Sequence, residues 1–267
     1  MTLSKYKSLV KAGIMDQLQF RMSMILIVVC NLLYLVLIYY LWKAIYASAG
    51  TDIVNGMTFS DTMIYLVFAS ALFNFMEMWL VWDMGRDIQD GKIVVDLLRP
   101  MPYRTFLFFN LSGNCVVKFV TTFMPTAIVV YFVSGASIPL GVNLIWFVIS
   151  AGCSLMINFY INFMIGTVCM YTESIWGINI MKEVVVGVLS GATIPLAFFP
   201  ETLRNVVLCL PFQAIVNSPL ELLLHAEYGW QKIAEIIVIQ LLWLVVLRLL
   251  SGCFFRISVK KITVNGG

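Results

Sequence analysis

What this sequence lacks narrows it first. Charge is scarce: Asp, Glu, Lys and Arg make up 12% of 267 residues, against 61% hydrophobic residues. A soluble domain carries about 25% charged and about 45–50% apolar residues, so a water-soluble globule is excluded. There is a single histidine, His225, outside the apolar runs. That excludes a Ser–His–Asp triad at membrane depth and an HExxH zinc site. Paired-aspartate catalysis fails as well, because Asp61 alone approaches an apolar run, and only at its edge. No G-x-x-x-x-G-K-[ST] phosphate loop occurs, and the fragments LSGN and LSGA lie inside apolar runs. Cys30, Cys115, Cys153, Cys169, Cys209 and Cys253 show no CxxC or ligand spacing and read as small apolar fillers. Repeats, low-complexity tracts and Pro/Gly/Ser linkers are absent. No catalytic residue, no bound metal or cofactor and no nucleic-acid partner is expected.

What is present is an all-α membrane protein, one membrane domain over residues 1–267. Six segments have the length and apolarity of crossings: about 22–46, 59–82, 105–133, 141–171, 183–199 and 231–250. A helix needs about 20 residues to cross hydrocarbon. Only helices or closed barrels cross, and the alternation of a barrel strand is missing. Residues 1–21 are not a signal peptide, because the apolar run behind them is too long. Tyr6, Leu9, Val10, Ile14 and Leu18 fall at helical spacing, with Lys5, Lys7, Lys11 and Asp16 on other faces. That pattern predicts an amphipathic helix in the headgroup interface. Segments 1–21, 83–104, 172–182 and 251–267 hold 12 Lys/Arg, whereas 47–58, 134–140 and 200–230 hold one. The bias predicts cytosolic N- and C-termini and a cytosolic 83–104 segment.

That segment, DMGRDIQDGKIVVDLLRPMPYR, concentrates eight of the 31 charged residues. Gly91 interrupts any helix continuing from the second crossing. Ile93, Val94, Leu97 and Leu98 make one face, Lys92, Asp96 and Arg99 the other, and Pro100 and Pro102 stop it. A short amphipathic helix between two crossings either sits on lipid or docks into another protein. On the outer side, Pro200, Pro211 and Pro219 predict two short apolar helices, about 201–209 and 212–224, forming a re-entrant hairpin within 200–230. In the fourth crossing Ser154, Asn158, Asn162 and Gly166 recur every four residues, a face for helix packing or for lining a polar route. Gly187 and Gly191 form a GxxxG, a mark of close helix contact. Ionisable residues at bilayer depth are functional candidates. Glu77 lies about 8 Å above the cytosolic end of the second crossing and Lys118 about 20 Å along the third. A snorkelling Lys118 can meet Glu77 at a cytosolic gate, or each can reach the interface alone.

The blocks LWKAIYA (41–47), VNGMTFSDTMIYL (54–66), DIQDGKIVVDLLRPMPY (87–103) and FFPETLRNVVLCLPFQAIVNSP (198–219) resemble the ABC-2 family of bacterial permeases, in particular its six-span export branch. Lys118 departs from that resemblance. The resemblance implies the membrane half of an ATP-binding-cassette exporter in the bacterial cytoplasmic membrane. It implies two cytosolic ATPase subunits that bind the ATP and Mg, and a second permease chain, identical or paralogous. Residues 1–21 become the connecting helix and 83–104 the coupling segment. The implied docking residues are Asp87, Ile88, Gly91, Ile93, Leu97, Leu98, Arg99 and Pro100. Phe199, Pro200, Pro211, Phe212 and Pro219 mark the outer hairpin, and Glu77, Lys118, Asn158 and Asn162 are pathway or gate candidates. An amphipathic cargo is expected, drug-like or a peptide such as a bacteriocin, with lipid or glycolipid as the alternative. Outside that class, a passive channel or assembly scaffold is the rival, although no selectivity filter or ring of charge is visible.

Overall fold

The computed structural model describes residues 3–133, 142–172, 174–225 and 227–260. The outer loop expected at 134–140 and the tail 261–267 lie outside the described residues.

Helix α1 (Leu3–Gln19) does form, and it lies along the start of α6 (Tyr103–Lys118). The two glycines explain the closeness. A Cβ on Gly13 would collide with the Asn110 carbonyl, and one on Gly113 with the Val10 carbonyl. Tyr6 and Phe109 add a ring contact at 4.4 Å. The lysines Lys5, Lys7 and Lys11 face outward, but so does Leu18, which the expected apolar stripe had included. The chain then bends at Phe20 (φ −95°, ψ 51°) into α2 (Arg21–Ala49). Among the described side chains of α2 only Ile38, Trp42 and Tyr46 are buried, while Met22, Leu26, Leu33 and Leu37 remain exposed.

Past Gly50, strands β1 (Ile53–Val54) and β2 (Met57–Thr58) pair antiparallel around Asn55 and Gly56, both at positive φ. An Asn-Gly pair is the preferred centre of a two-residue hairpin turn. Thr58 caps α3 (Phe59–Met76): its hydroxyl accepts from the Asp61 N–H, and the Asp61 carboxylate accepts from the Thr58 N–H. Asp61 thus satisfies donors that a helix start leaves open.

The second crossing does not run unbroken over 59–82 as expected. It stops at Met76 and resumes as α4 (Leu80–Gln89). Gly91, left-handed at φ +72°, ends α4, and α5 (Ile93–Leu97) follows. The third crossing is also irregular. After α6 comes a π-helical turn, Phe119–Phe123, and then α7 (Met124–Val133). Pro125 has no N–H for the residue-121 carbonyl, which favours such a bulge just ahead of it. Helix α8 (Val142–Val168) is the central post, packing on α12 (Trp230–Val259), α4 and α11 (Asn217–Leu224). Phe68, Phe159, Phe163, Ile157 and Leu220 are fully buried around it.

Among the described residues five helical stretches are long and apolar enough to cross a membrane: Met24–Ala49, Phe59–Gln89, Tyr103–Phe132, Asn143–Val168 and Trp230–Val259. The expected fifth crossing, 183–199, is not one of them. Its helix, α9 (Ile175–Leu189), starts earlier and has 15 residues. Gly187 accepts from the N–H groups of both Ala192 and Thr193, and Gly191 turns left-handed at φ +83°. The GxxxG thus ends α9, and its second glycine also makes a close contact, since a Cβ on Gly191 would stand 2.6 Å from the Tyr65 hydroxyl of α3. The outer helices are shorter than expected as well: α10 (Glu201–Leu208) and α11 flank an unwound stretch at 209–216.

Candidate functional site

The break in the second crossing has no backbone cause, because residues 75–80 contain neither proline nor glycine. Glu77 simply turns extended (φ −63°, ψ 121°). In an unbroken helix the carbonyls of Met76 and Glu77 would accept from the N–H groups of Leu80 and Val81. Here Asn158 Nδ2 donates to the Met76 carbonyl at 2.7 Å, and Lys118 Nζ donates to the Glu77 carbonyl at 2.9 Å. Side chains from two other helices thus take the place of the helix's own donors. Broken backbone at membrane depth is tolerated only when its polar groups are met in this way.

Lys118 also reaches the Glu77 carboxylate, Nζ to Oε2 at 3.4 Å, so the two expected gate residues do touch. The shorter bond goes to the backbone. Asn162 Nδ2 donates to Asn158 Oδ1 at 3.0 Å, and Lys182 Nζ donates to Asn162 Oδ1 at 3.0 Å. Lys182, placed by the sequence reading in a cytosolic segment, is instead buried on α9, with Glu183 Oε1 at 3.9 Å. The polar stripe of α8 continues toward the helix's N-terminal end. Ser154 Oγ donates to the Ala214 carbonyl at 2.7 Å, inside the unwound 209–216 stretch, and Gln240 Nε2 donates to the same carbonyl at 2.9 Å. Gly166, at the other end, faces the Met84 side chain. Each position of the stripe packs against another part of the chain.

Beside the break, a cavity of about 490 Å³ opens between α2 and α3, with Glu77 in its wall. Asn74 Nδ2 donates across to Asn31 Oδ1 at 3.2 Å. Asn31 is the single amide of the first apolar run.

Below the break, α4 is wedged in place by Leu80, Val81, Met84 and Gly85, all buried. Gly85 lies so close to Ile175 of α9 that a Cβ would stand 2.8 Å from it. Of the expected docking residues, Ile93 is buried, and Asp87, Ile88 and Leu97 are partly covered. Gly91, Leu98, Arg99 and Pro100 are exposed. The predicted face therefore splits. Ile93, Val94 and Leu97 anchor α5, while Leu98 points out at 81% exposure together with Val95 at 66%. Asp96 accepts from Arg99 Nε at 2.7 Å, and the guanidinium lies 4.2 Å from the Phe106 ring centre. Lys92, 2.9 Å from Asp90, holds that carboxyl below the usual range. After Pro102, Arg104 donates to the Arg248 carbonyl at 2.8 Å, and Tyr103 stacks on Phe255 at 5.6 Å. These clamp contacts to α12 were missed from sequence. So was Lys182, although a Lys-Glu pair inside IWGINIMKEVVVGVL is a visible signal of intramembrane charge.

On the opposite stretch Phe199 is partly covered, Pro200 starts α10 exposed, and Pro211, Phe212 and Pro219 are drawn inward. Residues 211–220 are buried apart from partly covered Phe212, so the unwound chain rests on protein.

A family model described as ABC-2 family transporter protein matches residues 32–266. No curated protein matches the chain.

Proposed function

Because the chain belongs to the ABC-2 family of transporter proteins, a multi-pass membrane family whose permeases generally work with ABC ATPases, we propose that it is the permease subunit of a bacterial exporter. In this reading it sits in the cytoplasmic membrane with both termini cytosolic. Two separate ATPase subunits bind and hydrolyse ATP with Mg, and a second permease chain, identical or paralogous, completes the pathway. The cargo is amphipathic, drug-like or peptide. Helix α9, extended by the 190–200 turn, takes the place of the expected fifth crossing.

The observation that carries this reading is the lever at 80–102. Its inner face is fixed by Leu80, Met84, Ile93 and Leu97, while Val95 and Leu98 stand out as an apolar pair on a rigid mount. Apolar side chains held outward beside charged neighbours fit a groove on another protein better than they fit water. Leu98→Asp tests it, since Leu98 supports nothing within the chain. The variant should insert and fold like the parent yet fail to co-purify an ATPase, and export should cease. An L98D chain that keeps both ATPase capture and export would remove the basis of this reading.

A further inference from the structure

The cavity between α2 and α3 has a chemical character of its own. Among the described side chains lining it, Glu77 alone is charged at neutral pH; Leu26 and Ile27 supply apolar wall, and Tyr34, Phe73 and Trp79 supply aromatic rings. Its volume of about 490 Å³ falls within the range of about 300–1,000 Å³ typical of small-molecule sites. We propose that this cavity is a recognition site for a monovalent cationic amphiphile, an ammonium or phosphonium carrying apolar groups, with the Glu77 carboxylate as its counter-ion. The inference rests on the export reading only in naming that ligand as cargo.

Three features support it. The carboxylate is engaged only by the longer of two bonds: Lys118 gives its 2.9 Å bond to the Glu77 backbone carbonyl and pairs with the carboxylate oxygen at 3.4 Å. The Glu77 side chain keeps 34% of its surface open. Aromatic faces add attraction for a desolvated cation. An anion of the same shape would meet a carboxylate instead. A bound cation and the Lys118 ammonium then compete for one carboxylate, and this gives the two residues opposite effects on binding.

Tetraphenylphosphonium and tetraphenylborate share a shape and differ in charge, so they are the probes. Equilibrium binding is measured to the purified chain in lipid nanodiscs, with empty nanodiscs as the partition control. Tetraphenylphosphonium should bind saturably, and tetraphenylborate only as it does to empty discs. Glu77→Gln should weaken the cation about tenfold, the equivalent of about 1.4 kcal/mol, while leaving the backbone carbonyl that Lys118 grips. Lys118→Gln keeps an N–H donor and deletes the competing charge, so it should tighten binding. Thr193→Lys, at an exposed position on the cavity wall, should weaken it without touching the break, and serves if E77Q folds poorly. Equal saturable binding of both probes, cation binding unmoved by E77Q or T193K, or K118Q weakening it as E77Q does, would each overturn the proposal. No ATPase is present in the assay. Failure here therefore leaves Leu98 docking untouched, and failure of ATPase capture leaves this site standing.

Discussion

Two unwound stretches rest on the same face of α8 and are held in different ways. At 209–216 the Ala214 carbonyl receives Ser154 and Gln240, both neutral and fully buried. At 77–79 the freed carbonyls receive Asn158 and Lys118, and a partly open carboxylate and a cavity stand beside them. The local sequences differ too. Pro211 and Pro219 keep the outer stretch from becoming one helix. Between Phe75 and Leu80 nothing forbids a helix, so Leu80 and Val81 N–H groups remain ready rivals for the two carbonyls. The outer stretch is built to stay unwound. The inner one is held by side-chain donors for which the helix's own N–H groups are rivals, so it is expected to be able to rewind.

The comparison breaks most decisively if the inner break never rewinds. Trp79 already has φ −73°, close to the value of about −65° that proline imposes. Trp79→Pro should therefore fold normally and abolish export by holding the break open, whereas Trp79→Ala, which takes the same ring from the cavity wall, should keep part of it, as judged by vesicle transport beside thermal unfolding. Full export by the proline variant would mean the crossing does not need to straighten. Next in size is stability at the outer stretch. Ser154→Ala combined with Gln240→Leu strands the buried Ala214 carbonyl and should cost about 1–3 kcal/mol, seen as a lower unfolding temperature in detergent. Asn158→Leu should cost less than that pair, because the Met76 carbonyl can recapture the Leu80 N–H. An equal or larger loss at Asn158 would erase the distinction between the two stretches. The smallest effect belongs to a site remote from both: Thr58→Ala removes the cap of α3 and should cost about 1 kcal/mol.

Sequence patterns located the features that composition and special residues determine. Apolar length marked the helices α2, α8 and α12 within a few residues at most ends, although the last runs on to Val259. Gly91 and the prolines bracketed the lever. What stayed hidden was set by tertiary partners. The break at Glu77 follows from Asn158 and Lys118, residues far away in the chain, and no local signal accompanies it. Leu98 looked equivalent to Leu97 by spacing, but a helix of five residues, Ile93–Leu97, ends before it and turns its side chain outward. Lys182 falls in the 172–182 segment by charge bias, yet its helix begins at Ile175 and carries it into the packed interior. The hairpin at Asn55-Gly56 does carry a local signal, since an Asn-Gly pair favours a two-residue turn.

The glycine contact between the first helix and the third crossing has a practical corollary. With Gly13 and Gly113 in near backbone-to-backbone register, neither partner has side-chain slack with which to slide, so the two should shift as a single body. A dye attached at exposed Ser4 would then report, from the edge of the protein, every displacement of a rod whose far portion is out of reach of labelling.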